Sequence, residues 1–205
     1  SGSTSVPYGV ASNFSINVSG ANTGQNIGIN VAVSGGTLGE SATNLQISGG
    51  ELTHTGTLAT TSGTNGIATG GYSFTFTPAV AAVAGTTYTL AGAARVDTEW
   101  NHAANVTLTV VRGTQAALTA RIGGSSFPAA SNVGLTGALT TIGGSGGGAV
   151  TYSSLTPSVC AVSSTTVSYN AIGTCTVRAT KAQDSQYDSI SDDVSLTVNQ
   201  GTQAT

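Results

Sequence analysis

Hydrophobic and polar residues alternate along almost the whole chain, with a period of two residues. The segment GYSFTFTP shows the pattern most clearly, since Tyr72, Phe74 and Phe76 alternate with small or hydroxylated residues before Pro78. This period predicts strands with one face toward a core, because successive side chains of a strand point to opposite faces. Comparable runs lie at 14–18, 29–33, 88–90, 106–110, 118–122, 159–162, 167–169, 175–177 and 194–198.

The segments between these runs are rich in SGG, GG and NG pairs. Glycine and asparagine tolerate positive φ, so such pairs favour tight turns. The Ala-rich segment 79–87, AVAAVAGTT, is the only candidate for a helix, and it is short and ends its alanine run at a glycine. Each half of the chain offers about seven short strands, the size and rhythm of an immunoglobulin-like domain. The sequence therefore predicts an all-β fold of two tandem immunoglobulin-like β-sandwich domains.

A repeated segment indicates where the first domain ends. Asn105–Ala116 is NVTLTVVRGTQA and Asp193–Ala204 is DVSLTVNQGTQA, identical at eight of twelve positions with an offset of 88 residues. A recurrence at fixed spacing is typical of tandem modules. We expect one domain at 1–111, a second at 112–199, and the start of a further repeat at 200–205. On this interpretation the chain is a piece of a longer protein.

Charge is sparse and excludes some functional classes. The 205 residues include five basic and eight acidic side chains, although 39% of the residues are hydrophobic. A chain with so few basic residues has no footprint for nucleic acid. No apolar run approaches the length of about 18 residues that suggests a membrane span. The composition instead predicts a β protein with a surface of serine and threonine.

Two cysteines, Cys160 and Cys175, lie in alternating runs and in register with residues expected to face inward. Around Cys160 the run allows two inward faces, one with Cys160 and Val162 and the other with Val159 and Ala161. Two strands of a hairpin-like unit would place them face to face, and a disulfide there would stabilise the domain by roughly 3 kcal/mol. The alternative is two buried free thiols. A disulfide is typical of exported proteins.

A set of positions in the second half forms a recognisable pattern: Thr156, Pro157, Val159, Cys160, Val162, Gly173, Thr174, Cys175, Val177, Ala179, Asp184 and Tyr187. With these positions the second half resembles a bacterial immunoglobulin-like repeat of large extracellular proteins. The resemblance covers about 112–199 and includes the GTQA opening. Gln183 departs from the pattern, which usually has glycine before the aspartate.

The first half contains the pieces VPYG, VAVSGGTL, GGELTHTG, YSFTFTPA, GTTYTLAGAA and EWNHAANVTLTV. In these pieces it resembles the reelin-like domain known as choice-of-anchor V, over about residues 5–111. Relatives of this domain are bacterial and exported, and often carry a Cys-x-x-Cys-His segment for haem attachment. This chain lacks that motif, so the resemblance implies haem only outside this segment or at its edge. Neither family is known for catalysis.

The segment RVDTEWNHAAN, residues 95–105, holds the densest cluster of candidate ligand-binding side chains. Asp97 and Glu99 are expected to share a strand face, a spacing suited to binding a cation through oxygen. Trp100 and Asn101, with His102 beside them, are the candidates for stacking on a sugar and hydrogen bonding to it. The alternative is a solvated loop in which the tryptophan plugs the end of a sandwich.

Two further sets of residues are candidate metal ligands. His54 and His102 are the two histidines, and a pair of imidazoles binds metals or haem iron. Four aspartates near the last strand suggest calcium at a junction between modules, although their spacing is not that of an EF-hand. The alternatives are structural histidines and a solvated polar turn. The four aspartates are Asp184, Asp188, Asp192 and Asp193.

These patterns favour a non-enzymatic structural or adhesive segment of an exported bacterial surface protein, located outside the cell. Its partners would be neighbouring modules, surface glycans or other proteins. One alternative is a subunit of an extracellular fibre assembled by strand addition, attached to a haem protein. That hypothesis arises because uncharged strand edges are poorly guarded against pairing. The other alternative is a carbohydrate- or cation-binding module.

Overall fold

A computed structural model describes residues 2–22, 27–40, 45–55, 61–62, 67–96 and 98–201. Within these ranges the regular structure is entirely β, and no helix has the length and hydropathy needed to span a bilayer. The chain forms two compact units, unit 1 (Ser1–Gly113) and unit 2 (Thr114–Thr205). Each is an immunoglobulin-like β-sandwich, so the fold class predicted from the alternation is confirmed.

Unit 1 is built from two sheets. The strands are β1 (Gly2–Pro7), β2 (Ser12–Asn22), β3 (Ile27–Val33), β4 (Thr37–Glu40), β5 (Leu45–Ser48), β6 (Glu51–His54), β7 (Thr61–Ser62), β8 (Ile67–Thr77), β9 (Thr87–Val96), β10 (Glu99–His102) and β11 (Val106–Val111). The larger sheet has the strand order β1-β11-β9-β3-β6-β5, with β10 also paired to β9, and the smaller sheet has the order β2-β8-β4, with β7 paired to β8.

Alternating residues of both sheets form the core of unit 1. Phe76 of β8 is fully buried and meets Tyr88 of β9 edge to face, with ring centroids 5.2 Å apart. Because β8 and β9 belong to different sheets, this aromatic pair joins the two layers of the sandwich. Ile29, Val31, Leu52, Phe74, Leu108 and Val110 are buried in the same way.

The turn between β5 and β6 shows why a glycine pair is needed there. Ser48 pairs with Glu51, which leaves Gly49 and Gly50 as a two-residue loop. Their φ angles are 63° and 85°. Two consecutive positive φ values define the turn that matches the twist of a hairpin, and glycine adopts them without strain.

Unit 2 also has two sheets. Its strands are β12 (Leu118–Ile122), β13 (Ser131–Asn132), β14 (Thr136–Gly143), β15 (Val150–Ser154), β16 (Cys160–Ser163), β17 (Thr166–Tyr169), β18 (Gly173–Lys181) and β19 (Ile190–Asn199). The sheets have the orders β12-β14-β17-β16 and β13-β19-β18-β15. The core includes Cys160, Val167, Cys175, Val177 and Val198, all fully buried.

The two copies of the repeated sequence occupy equivalent places. The strand part of the first copy forms β11, and that of the second lies in β19, the last strand described in each unit. Each of these strands has one antiparallel partner and one parallel partner from earlier in the unit, β1 for β11 and β13 for β19. The end of the second copy, residues 202–205, lies outside the described residues.

Candidate functional sites

Cys160 and Cys175 form a disulfide, with their Cα atoms 5.6 Å apart. The hairpin-like arrangement expected for them is wrong, because β16 pairs with β17, whereas β18 pairs with β15 and β19. The two cysteines therefore lie on different sheets and the bond crosses the core. The alternation around Cys160 allowed two inward faces, and the structure places Cys160 inward while Ala161 is exposed.

Asp184 caps a turn of its own loop. Its Oδ1 accepts hydrogen bonds from the backbone N–H groups of Gln186 and Tyr187, both at 2.8 Å, and its Oδ2 accepts one from Gly147 at 2.6 Å. These backbone donors hold the pKa of the Asp184 carboxyl below its ordinary value. Because the pKa of Asp184 is lower in the folded state than in the unfolded state, its ionised form stabilises the fold above the pH at which an unfolded aspartate titrates. This stabilisation is lost as the pH falls through the pKa of the folded state.

The other three aspartates of the expected calcium cluster lie apart. Asp192 accepts a bond from the N–H of Ala120 at 2.8 Å, and this contact ties β19 to β12 of the opposite sheet. Asp193 forms a bidentate ion pair with Arg178, which lowers the pKa of Asp193, although both side chains are exposed. Asp188 contributes its backbone carbonyl to Gln115. Among the described residues no group of three or more potential ligands is close enough to hold a metal ion.

The two histidines are also separated. His54 is half-buried on β6, and its Nδ1 lies 3.2 Å from the N–H of Ile29. His102 is exposed on β10, and the strands β9 and β3 lie between β10 and β6. Three strand spacings amount to about 14 Å. The structure therefore does not bring the histidines together as ligands of one ion.

The segment expected to bind a ligand is largely the strand β10, all of whose residues are exposed. Trp100 is 46% exposed, so it does not plug the sandwich. Glu99 and Asn101 alternate with Trp100 and His102, so the two pairs project to opposite faces. The stacking and hydrogen-bonding pair expected from sequence, Trp100 with Asn101, is thus divided. Asp97 lies outside the described residues.

On the face that carries Trp100 and His102, the larger sheet of unit 1 forms a groove of about 370 Å³. The opposite wall contains Asn30 of β3 and Glu51 of β6, and the Asn30 Nδ2 donates to Glu51 Oε2 at 2.8 Å. The sequence interpretation missed Asn30 and Glu51, since they are distant along the chain from Trp100. The floor consists of Ala32, Ala91 and Ala93.

Gln115 is a second residue that the sequence interpretation missed. Among the described residues of unit 2 it is the buried polar one, and its Nε2 donates to the carbonyls of Asp188 at 2.7 Å and Ala182 at 3.4 Å. Its Oε1 accepts a bond from the N–H of Gly146. Its place in the repeated GTQA was the signal in the sequence that could have marked it.

No family model matches this chain, and no curated protein matches it. Solved structures with some likeness include the C-terminal 282-residue fragment of intimin, crystallised with the intimin-binding domain of the translocated intimin receptor. It is 20% identical with a TM-score of 0.34, over 96% of this chain and 61% of that one. The chain thus spans less than two thirds of the intimin fragment.

Two further structures show a similar degree of likeness. The C-terminal domain of the AgI/II polypeptide BspA from Streptococcus agalactiae is 8% identical with a TM-score of 0.39, over 96% of this chain and 95% of that one. Human CDH23 EC21-23 is 11% identical with a TM-score of 0.33, over 84% and 58%. At these scores the likenesses carry no argument about function.

Proposed function

We propose that this chain is a tension-bearing structural segment of an exported bacterial surface protein, without enzymatic activity. In this role the tandem β-sandwiches hold neighbouring parts of the protein at a distance from the cell. The observation that supports it best is the parallel pairing of early and late strands within each unit.

Parallel pairing determines how a pulling force reaches the hydrogen bonds. In unit 1 the pairing of β1 with β11 runs from Gly2 with Val106 to Pro7 with Val111. A force on the chain ends pulls β1 toward its N-terminal end and β11 toward its C-terminal end. The bonds of this ladder are then loaded together in shear, and they must break together rather than one after another.

Unit 2 has a shorter parallel contact but adds a covalent one. Only Ser131 and Asn132 of β13 pair with β19, next to a bond from the N–H of Val133 to the carbonyl of Asn199. The disulfide adds a covalent restraint, since a pulling force cannot extend the residues between Cys160 and Cys175 while the bond is intact. A buried disulfide also supports export to an oxidising compartment.

Single-molecule pulling through the two chain ends tests this proposal. The cysteines have a sequence separation of 15, so the chain from one to the other spans about 50 Å when extended, compared with 5.6 Å between their Cα atoms in the bridge. We expect a reductant to lengthen the extension released by unit 2 by about 45 Å and to leave the extension of unit 1 unchanged.

The direction of loading provides the control. Val10 is exposed and follows β1. One handle is attached to the new thiol of the Val10→Cys variant and the other to the C-terminal end of the chain. Force then acts on the C-terminal ends of both β1 and β11. This geometry opens the ladder one bond at a time, and we expect unit 1 to unfold at a lower force. Equal forces in the two geometries would refute the shear arrangement.

The identity of the two modules forms part of the proposal. We assign 1–111 to the reelin-like domain and 112–199 to the bacterial immunoglobulin-like repeat, with 200–205 opening a further repeat. The equivalent positions of the two repeated segments, in β11 and β19, support a modular origin of both junctions.

A second candidate function, assembly by strand addition, is favoured by the edge strand β2. Among the described residues β2 lies at the edge of the smaller sheet, and its eleven residues contain no charge and no proline. Its register against β8 is unbroken from Ser12 to Val18 and shifts between Val18 and Ala21, so the first seven residues offer a continuous row of backbone groups at the outer edge.

Sedimentation and electron microscopy of the purified chain test assembly through β2. If this edge pairs with other copies, concentrated wild-type protein forms oligomers or filaments, and Ser15→Lys reduces them because a charge disfavours edge pairing. A wild-type chain that stays monomeric at all concentrations would exclude this candidate.

A further inference from the structure

The groove on the larger sheet of unit 1 has features of a small-ligand site. Its volume of about 370 Å³ lies in the usual range for such sites, roughly 300 to 1,000 Å³. It exists because alanines on the central strands β3 and β9 are flanked by long side chains on β6 and β10. The ligand would rest on three methyl groups, those of Ala32, Ala91 and Ala93.

Trp100 forms the apolar wall of this groove. It is 46% exposed and contributes nothing to the buried core of unit 1. An exposed indole has a large apolar face and one N–H donor, a combination suited to a ligand that is apolar on one side and polar at its rim. A pyranose ring has this character, because axial C–H groups cover one face and hydroxyls surround the edge.

The opposite wall supplies fixed polar groups. The 2.8 Å bond from Asn30 to Glu51 restrains both side chains, so less conformational entropy is lost when a ligand binds. The Glu51 carboxylate and the Asn30 carbonyl accept hydrogen bonds, as adjacent sugar hydroxyls require. Asn105 and His102 add donors and acceptors at the rim.

The charge of the groove limits the kind of sugar. Among the described residues that line it, Glu51 is the one acidic side chain, and none is a lysine or an arginine. Arg95 is exposed and lies opposite Trp100 in the β9–β10 ladder, at the other end of the groove from Glu51. At the Glu51 end, the carboxylate disfavours uronic or sialic acids, which carry the same charge.

We propose that the groove between Trp100 and Glu51 binds a neutral hexopyranose of a glycan. The ring lies against Trp100 over the alanine floor, with hydroxyls directed to Asn30, and the bond from Asn30 Nδ2 to Glu51 holds that side chain in place. This inference is independent of the tension-bearing role, and it would give the segment a specific adhesive contact.

The protein contains a built-in reporter, since Trp100 is its single tryptophan. The experiment titrates the full chain with methyl glucoside, methyl galactoside and methyl mannoside and records tryptophan fluorescence. For at least one glycoside we expect a saturable change with a dissociation constant on the order of millimolar, as suits one sugar ring in an open groove.

Matched variants decide whether the signal comes from this groove. Asn30→Ala and Glu51→Gln should each weaken binding roughly tenfold or more, because a hydrogen bond to a sugar hydroxyl is lost or weakened. Gln46→Ala is the control, since Gln46 is exposed on β5 of the same sheet but does not line the groove. Gln46→Ala should bind as the wild type does, and circular dichroism verifies the fold of each variant.

Three outcomes would overturn the proposal. The first is no saturable change with any of the three glycosides up to about 100 mM. The second is equal affinity in the wild type, Asn30→Ala and Glu51→Gln. The third is a response to calcium chloride alone with none to the glycosides, which would mark a cation site. None of these outcomes bears on the pulling experiment, so the two proposals fail separately.

Discussion

Replacing Cys160 and Cys175 together with alanine is expected to lower the free energy of unfolding of unit 2 by about 3 kcal/mol. In the loop-entropy account, a bond that closes a loop of 15 residues restricts the unfolded chain by about this amount. Here the bond also joins the two sheets across a fully buried core. The loss is a large fraction of the roughly 5–15 kcal/mol that stabilises a typical domain.

Urea unfolding monitored by circular dichroism measures this loss. The reduced wild type should lose a similar amount of stability, whereas reductant should leave the double alanine variant unchanged. Tryptophan fluorescence reports on unit 1 alone, because Trp100 lies there, and its transition should not move. A double variant as stable as the oxidised wild type would contradict the stabilising role of the bond.

The second large effect is expected in unit 1, where Phe76→Ala should cost about 3–5 kcal/mol. Phe76 is fully buried and in edge-to-face contact with Tyr88 of the opposite sheet. Truncation leaves a cavity between the sheets, and it removes an aromatic contact that is itself worth about 1 kcal/mol. The tryptophan-detected unfolding midpoint in urea should therefore fall, while the transition of unit 2 stays in place.

Two variants make this prediction specific. Phe76→Leu retains most of the buried volume and should lower the free energy of unfolding of unit 1 by roughly 1 kcal/mol. Unit 1 of this variant should therefore stay folded even if the alanine variant unfolds. Phe127→Ala applies the same truncation to a phenylalanine that is 92% exposed, and it should change stability by less than about 0.5 kcal/mol. Equal effects at the two phenylalanines would show that Phe76 is not part of a packed core.

The alternation of hydrophobic residues predicted the strands well, because side-chain direction in a strand depends only on local geometry. The run VSLTV shows this, since Val194, Leu196 and Val198 are buried while the residues between them are exposed. Around Cys160 the same pattern allowed two inward faces. Packing of the whole domain decided between them, because only one of the faces meets the opposite sheet.

The candidate site was only partly predictable. The sequence marked Trp100 and His102 as candidates, but it did not reveal whether the tryptophan was buried, since an isolated tryptophan is compatible with either environment. Asn30 and Glu51 carry no distinguishing motif, and their strands, β3 and β6, lie far from Trp100 along the chain. They become neighbours of the groove only because β6, β3, β9 and β10 lie side by side.

Local periodicity and residue identity were sufficient to predict the strand-forming segments and the inward face of most of them. They also revealed the recurrence of one strand at the end of each unit and two cysteines able to pair. Only the folded arrangement of the strands shows that the disulfide joins two sheets, that the histidines and aspartates stay apart, and that a groove forms beside Trp100. Each of these depends on which strands pair, and strand pairing is set by the burial of the whole core rather than by any local segment.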